Sequence, residues 1–408
     1  MRIEWGVAEV KQRFRASSAA FAFLAVLMLV QGCSTPSREP AVPKDRQAEA
    51  VVAGMPGIRY WQQSDLDLLI QDAADAYFRE AELFAGAGGE GGRPTAVSLA
   101  DADGGEDGAY GAGLLVGWSE TGTRPEFKLV TGISTGALTA PFAFLGSEYD
   151  QQLKEVYTTI TADDVLVERS LLAFAFDDAL TDNAPLRALI AEKFTQEMLE
   201  EVAQAYAEGR ILLIGTTNID ARRPVIWNIT KIAATGHPRA LDLVHDILVA
   251  SAAVPAAFPP TMIDVMVDGQ MYQEMHVDGG ASAQVFVYPS AVHVKDISEA
   301  EQIQRERQVY VIRNGRLDPD WADTERVTYS IAGRAISSLI QNQGVGDLYR
   351  IYSLTQRDGV DFNLAYIPPT FDVKLNEPVD QNYMKALFEL GYEQGRAGYD
   401  WAKVPPNF

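Results

Sequence analysis

Short apolar runs and longer helical stretches alternate through the middle of the chain. Residues 95–100, 128–131, 211–216 and 309–313 read as strands, and residues 185–208 as one long amphipathic helix. This alternation predicts a mostly parallel sheet with helices on both faces, because parallel neighbours need a crossover long enough to hold a helix. Two further runs, 262–267 and 271–277, are joined by Asp268-Gly269 and predict a hairpin. Upstream, Ser64 with Asp67 three residues on predicts a helix start, and Leu66, Leu69, Ile70, Ala73 and Tyr77 recur at helical spacing until Gly86-Ala87-Gly88-Gly89. Beyond Arg326 the pattern is mainly helical, with 331–341 and 382–399 expected to pack on the same sheet because no linker separates them from it. Residues 58–408 therefore read as one unit, with a core at about 94–315 and a helical part at 326–408.

The N-terminus differs. Lys11, Arg13 and Arg15 precede an apolar run at 16–30 that ends at Cys33, the only cysteine among 408 residues. The run falls short of the roughly 20 residues that a spanning helix needs and reads as a secretory signal over residues 1–32. A lone cysteine just after it resembles the acylation site of bacterial lipoproteins. Residues 33–57 then read as a lipidated, disordered tether, polar and Pro-bearing up to about residue 53. Ser34 rather than an aspartate follows Cys33, which points to the outer membrane of the cell envelope. The formal net charge of -22 repels phosphate backbones, so nucleic acid is excluded as a partner, and the membrane is met through Cys33 rather than a basic patch.

Gly132-Ile133-Ser134-Thr135-Gly136 follows an apolar run directly and precedes a helix-prone stretch at 137–145. Strand, tight turn and helix is the context of a nucleophile elbow, with Ser134 at a helix N-terminus. Pro141 predicts a bend or an early end of that helix. Asp278-Gly279-Gly280 ends the hairpin strand, where an aspartate beside glycines can approach another loop closely. Of four histidines, His237 and His245 read as structural, and neither His276 nor His293 sits in a base motif. The Gly-rich turn at 104–113 offers backbone N–H groups to an anion. It lacks a Walker lysine, and its carboxylates, Asp101, Asp103, Glu106 and Asp107, do not follow EF-hand spacing.

In this order, the Gly-rich turn, G-x-S-x-G and Asp-Gly-Gly resemble the patatin-like phospholipase family. The stretches 215–220 and Ala250-Ser251-Ala252-Ala253-Val254-Pro255 add to the likeness. The resemblance implies a three-layer α/β/α sandwich with a mostly parallel central sheet. It also implies lipid acyl hydrolysis by a Ser-Asp dyad, without cofactor or metal: Ser134 as nucleophile, Asp278 as base, and backbone amides of Gly104, Gly105 and Glu106 as oxyanion hole. The chain departs from the family where Asp103 replaces a glycine and Asp107 a basic residue. Two other readings stay open: a Ser-His-Asp hydrolase, and a silent envelope lipoprotein that binds lipid or a partner. Substituting Cys33→Ala is expected to leave unprocessed precursor or soluble protein; lipid labelling that persists in this variant would refute acylation at Cys33.

Overall fold

The computed structural model describes residues 36–61, 64–86, 93–102, 104–168, 178–318, 321 and 323–406. The signal segment, Cys33 and Asp103 lie outside them. Twelve strands occur among the described residues: β1 (Val51–Val52), β2 (Arg59–Trp61), β3 (Ala96–Asp101), β4 (Leu129–Gly132), β5 (Val167–Glu168), β6 (Thr181–Asp182), β7 (Ile211–Asn218), β8 (Arg223–Asn228), β9 (Thr261–Val267), β10 (Gln270–Asp278), β11 (Arg307–Arg313) and β12 (Asp361–Tyr366). All but β5 and β6 join one sheet. Its centre, in the order β7-β4-β3-β11-β12, is parallel throughout, and the β8, β9 and β10 side is antiparallel.

Both faces of the parallel strands are buried. Val309 and Val311 face one core with Leu348 and Ile351, while Ile312 belongs to the other with Leu114 and Leu387. Alternate residues of a strand point to opposite faces, so the sheet is the middle layer of three. The helices that matter to the site are α1 (Leu66–Gly86), α2 (Gly108–Glu120), α3 (Thr135–Leu145), α4 (Ala240–Ser251), α5 (Thr328–Asp358) and α6 (Gln381–Arg396). Helices α2 and α6 lie close together: a Cβ added at Gly113 would stand 2.0 Å from the Phe388 carbonyl oxygen. Tyr110 donates to Gln394 and Tyr392 to Glu120 across the same pair.

The hairpin forms as its Asp268-Gly269 signal predicts, with φ of 49° and 79° at those residues. Other expectations are corrected. Residues 185–208 form two helices, Ala184–Lys193 and Gln196–Ala207, because Thr195 accepts the Met198 N–H as a new N-cap and Phe194 turns inward. Helix α1 starts at Leu66, since the Ser64 hydroxyl accepts Arg223 instead of capping. Helix α3 runs through Pro141 to Leu145. The C-terminal part contributes β12, parallel to β11, in addition to helices.

The tether is ordered from residue 36 onward. Arg38 pairs with Asp220, Val42 is buried, and β1 adds to the edge strand β9. Arg59 anchors the end of this segment through a buried, two-pronged pair with Glu274. Burial alone would raise the Glu274 carboxyl, but Arg59 and His276 hold it down at about 2. Breaking a buried pair by removing one partner costs about 3–5 kcal/mol. Arg59→Met should therefore lower unfolding stability by about that much in urea titration. A loss well under 1 kcal/mol would show that the pair is not what fixes the segment.

Candidate active site

Ser134 stands between β4 and α3 with φ 54° and ψ −123°, a conformation rarely open to a residue with a Cβ. The turn survives because its neighbours leave no room for anything but glycine. A Cβ at Gly136 would lie 2.3 Å from the Asp101 carbonyl oxygen, and one at Gly132 2.4 Å from that of Gly136. The Ser134 N–H donates to Ser251 Oγ at 3.1 Å, and that hydroxyl donates to the Gly215 carbonyl at 2.7 Å. Ser251 thus straps the elbow to β7.

Asp278 reaches the same place from another strand. It pairs with Thr216 on β7, two residues beyond Ile214, which pairs with Gly132. Ser134 and Asp278 therefore flank β7 at one height, about two strand spacings or 10 Å apart across the sheet. The following turn closes further. A Cβ at Gly279 would meet Gly215 O at 2.5 Å and Ile133 Cγ2 at 3.1 Å, so this turn lies against the residue before Ser134. The Asp278 N–H donates to Ala253 O, and its Oδ1 accepts the Gly280 N–H at 2.6 Å. The run 250–255 therefore holds both candidates, Ser134 through Ser251 and Asp278 through Ala253.

The Gly-rich turn arrives from the third side. Gly104 opens a single turn of 3-10 helix, Gly105–Asp107, in which the Asp107 N–H is the first bonded back, to Gly104 O at 3.0 Å. The N–H groups of Gly105 and Glu106 have no acceptor within that turn. A Cβ at Gly108 would lie 2.1 Å from Thr135 Oγ1, which sets the turn beside the nucleophile's helix. Asn314 cradles it, donating to Asp101 at 2.8 Å and accepting the Gly111 N–H at 3.1 Å.

Ser134, Thr135, Gly105 and Glu106 line a cavity of about 440 Å³ whose other walls are mostly apolar, among them Leu138, Phe142, Ile190 and Phe258. Its size is that of a small-molecule site. No histidine lines it among the described residues. His276 is wholly buried between Thr216 Oγ1 (2.9 Å) and Glu274 (3.1 Å), and burial lowers its pKa even though Glu274 opposes that shift. His245 contacts the Phe194 carbonyl, His237 accepts the Arg239 N–H, and His293 is half exposed beside Asp296. Among the described residues no three acidic, histidine or cysteine side chains cluster as metal ligands.

Asp107 turns away from the cavity and accepts the Tyr383 hydroxyl, while burial pushes its carboxyl up to about 6. Glu106 lies in the wall, its carboxylate accepting the Val379 N–H at 3.0 Å. Ser251, Asn314 and Tyr383 were not assigned roles from the sequence; only Ser251 carried a signal, its place in the Ala-Ser-x-Ala-x-Pro run.

A serine strained on a strand–turn–helix of an α/β sandwich, lining a cavity with the Gly105 turn, has the geometry of a nucleophile elbow. Residues 104–289, which include Gly104, Ser134 and Asp278, match the family model of the patatin-like phospholipases. Similar solved structures include VipD from Legionella pneumophila, at 10% identity and TM-score 0.29, aligned over 74% of this chain and 66% of that one. Another is full-length ExoU of Pseudomonas aeruginosa, in complex with SpcU, at 12% identity and TM-score 0.29, over 75% and 52%. No curated protein matches the sequence.

Asp101, at the end of β3, is wholly buried, and that burial pushes its carboxyl up to about 7 against the bond from Asn314. The folded protein holds this proton up to about pH 7, whereas an unfolded chain releases it near 3.8. Stability from this group is complete below the lower value and lost as pH rises through the upper one. The stability of Asp101→Asn relative to the parent should therefore grow by on the order of 2–3 kcal/mol between pH 5 and pH 8. Urea unfolding at both pH values checks this, and an unchanged difference would show that Asp101 does not hold the proton.

Proposed function

We propose that the chain is a serine acyl hydrolase that cleaves lipid acyl esters, of phospholipase, lipase or esterase type, by way of an acyl-enzyme. One observation carries the reading: Ser134, strained on its elbow, opens onto an apolar cavity that also receives the Gly105 turn. An acyl chain buries its methylenes against Leu138, Phe142 and Ile190 at about 0.8 kcal/mol each, and its carbonyl is left at the polar end beside Ser134.

Ser134 Oγ attacks the ester carbonyl and gives its proton to Asp278. Charge developing on the carbonyl oxygen is met by the N–H groups of Gly105 and Glu106, with the backbone of Gly104 shaping the turn. The leaving alcohol takes the proton as the C–O bond breaks, and water repeats the sequence to release the acid. The Ser-Asp pairing is supported by the common height of the two residues on either side of β7 and by the Gly279 turn lying against Ile133, the residue before Ser134. The missing loop cation weighs less than the departure suggests, because Asp107 is half-buried and held by the Tyr383 hydroxyl, outside the cavity lining. The same reading puts the mature chain at the outer membrane through acylated Cys33.

The second reading, a silent lipid binder, is favoured by one feature: the Glu106 carboxylate sits in the wall near the oxyanion position. A fluorophosphonate probe separates the two. Labelling should occur in the parent and be lost in Ser134→Ala, and Ser134→Ala and Asp278→Asn should each lower kcat by about 10³ or more. His276→Gln and His293→Gln should stay within about tenfold of the parent, with no inflection near pH 6.5. A folded parent that resists the probe would rule out the enzyme. A histidine variant as inactive as Ser134→Ala would restore the triad.

A further inference from the structure

The parallel strands give the molecule two ends, and its exposed apolar side chains are not shared evenly between them. The carboxyl ends carry Ser134 and, level with them, Asp278. Two elements run on past that edge. The first is the hairpin: β7 stops pairing at Asn218, opposite His276, while β10 extends back to Gln270. Near its tip Met266 and Met271 pair directly and are 46% and 45% exposed.

The second is helix α5. Its later half is packed, with Leu348 and Ile351 buried and Asp347 accepting the Gln284 N–H. At Gln341 and Gln343 it is level with the strand ends, donating to Arg316 O and Ser282 O, just beyond β11 and β10. The thirteen residues from Thr328 to Ile340 then overhang the edge by about 20 Å, at about 1.5 Å per residue. On this overhang Ile331, Ile336 and Leu339 are 51%, 55% and 70% exposed. They fall within a sector of about 140° at 100° per residue, an exposed apolar stripe among the described residues.

The N-terminal segment enters at this end too. Arg38 bonds Asp220 and the Gln273 carbonyl, both past the end of β7.

We propose that the carboxyl edge of the sheet is a membrane-docking face, in which the α5 overhang and the hairpin tip lie in the interface of an electrically neutral phospholipid bilayer. Three observations agree on a bilayer rather than a protein. The apolar elements rise past the same sheet edge that carries Ser134 and the apolar cavity it lines, the described N-terminal segment enters at that edge through Arg38, and a stripe of isolated aliphatic side chains suits a fluid surface. The net charge of -22 selects neutral headgroups over anionic ones. The inference rests on the acyl hydrolase reading only for what the bilayer supplies, and its test needs no turnover.

The test uses the full chain carrying Cys33→Ala, with one cysteine introduced as Leu339→Cys, Met271→Cys or Phe78→Cys and labelled with an environment-sensitive fluorophore. Phe78 is 58% exposed on α1, two residues from Glu80, which pairs with Lys128 and Arg305 at the amino ends of the strands. With phosphatidylcholine vesicles, the labels at 339 and 271 should shift to the blue and be quenched by brominated lipid, and the label at 78 should do neither. The response should weaken on phosphatidylglycerol. No response at 339 and 271, or an equal one at 78, overturns the docking face. A blue shift at 339 that grows with protein concentration in the absence of vesicles also overturns it, because a second copy then covers the stripe. Failure of the parent chain to hydrolyse any ester would refute the hydrolase reading and leave the label result standing.

Discussion

Everything at the site depends on one backbone turn. Ser134 holds a positive φ that costs on the order of 1–3 kcal/mol for a residue with a side chain, and nothing local repays that cost. The surrounding structure imposes it. Gly136 lies against the Asp101 carbonyl, Gly132 against Gly136, and Ser251 bridges the Ser134 amide to β7. Three neighbouring strands, β3, β4 and β7, must be in register before the serine is presented, so the geometry of Ser134 is a property of the sheet rather than of the five-residue motif.

The same crowding explains how the other parts converge. The Asp278 turn fits over Gly215 to touch Ile133, and the Gly-rich turn fits against Thr135 only because Gly108 has no side chain. Ser251 and Ala253, two residues apart at the end of α4, each hold one member of the candidate pair. A segment that contributes no reacting group therefore sets the spacing between two that do.

Much of this was legible in the sequence where a local signal and a tertiary demand coincide. Asp268-Gly269 had to be a hairpin turn, and G-x-S-x-G after an apolar run had to be an elbow. Reading failed where a distant contact decided a local outcome. Residues 185–208 look like one helix until Phe194 is drawn inward and Thr195 caps a second. The Pro-bearing segment after residue 36 looks like tether because Arg38, β1 and Arg59 find their partners some 180 to 215 residues away, on Asp220 and the β9–β10 hairpin. Asp107 stands where the family carries a basic residue, and its partner, the Tyr383 hydroxyl, comes from a helix some 270 residues on, which no local pattern announces. Asn314 carried no signal at all, since a single asparagine after a strand predicts nothing about the turn it supports.

The close seam between α2 and α6 bears on the order in which the chain assembles. Helix α2 carries the backbone donors into place, yet its outer side is closed by residues some 270 to 280 positions later, through Phe388 against Gly113 and through the bonds of Tyr110 and Tyr392. An emerging chain holds the serine, the aspartate and the Gly-rich turn long before it holds the helix that locks them. Helix α6 must therefore be in place before the outer wall of the Gly-rich turn is complete. Closure of the candidate site is thus tied to a helix that enters the chain some 250 residues after Ser134.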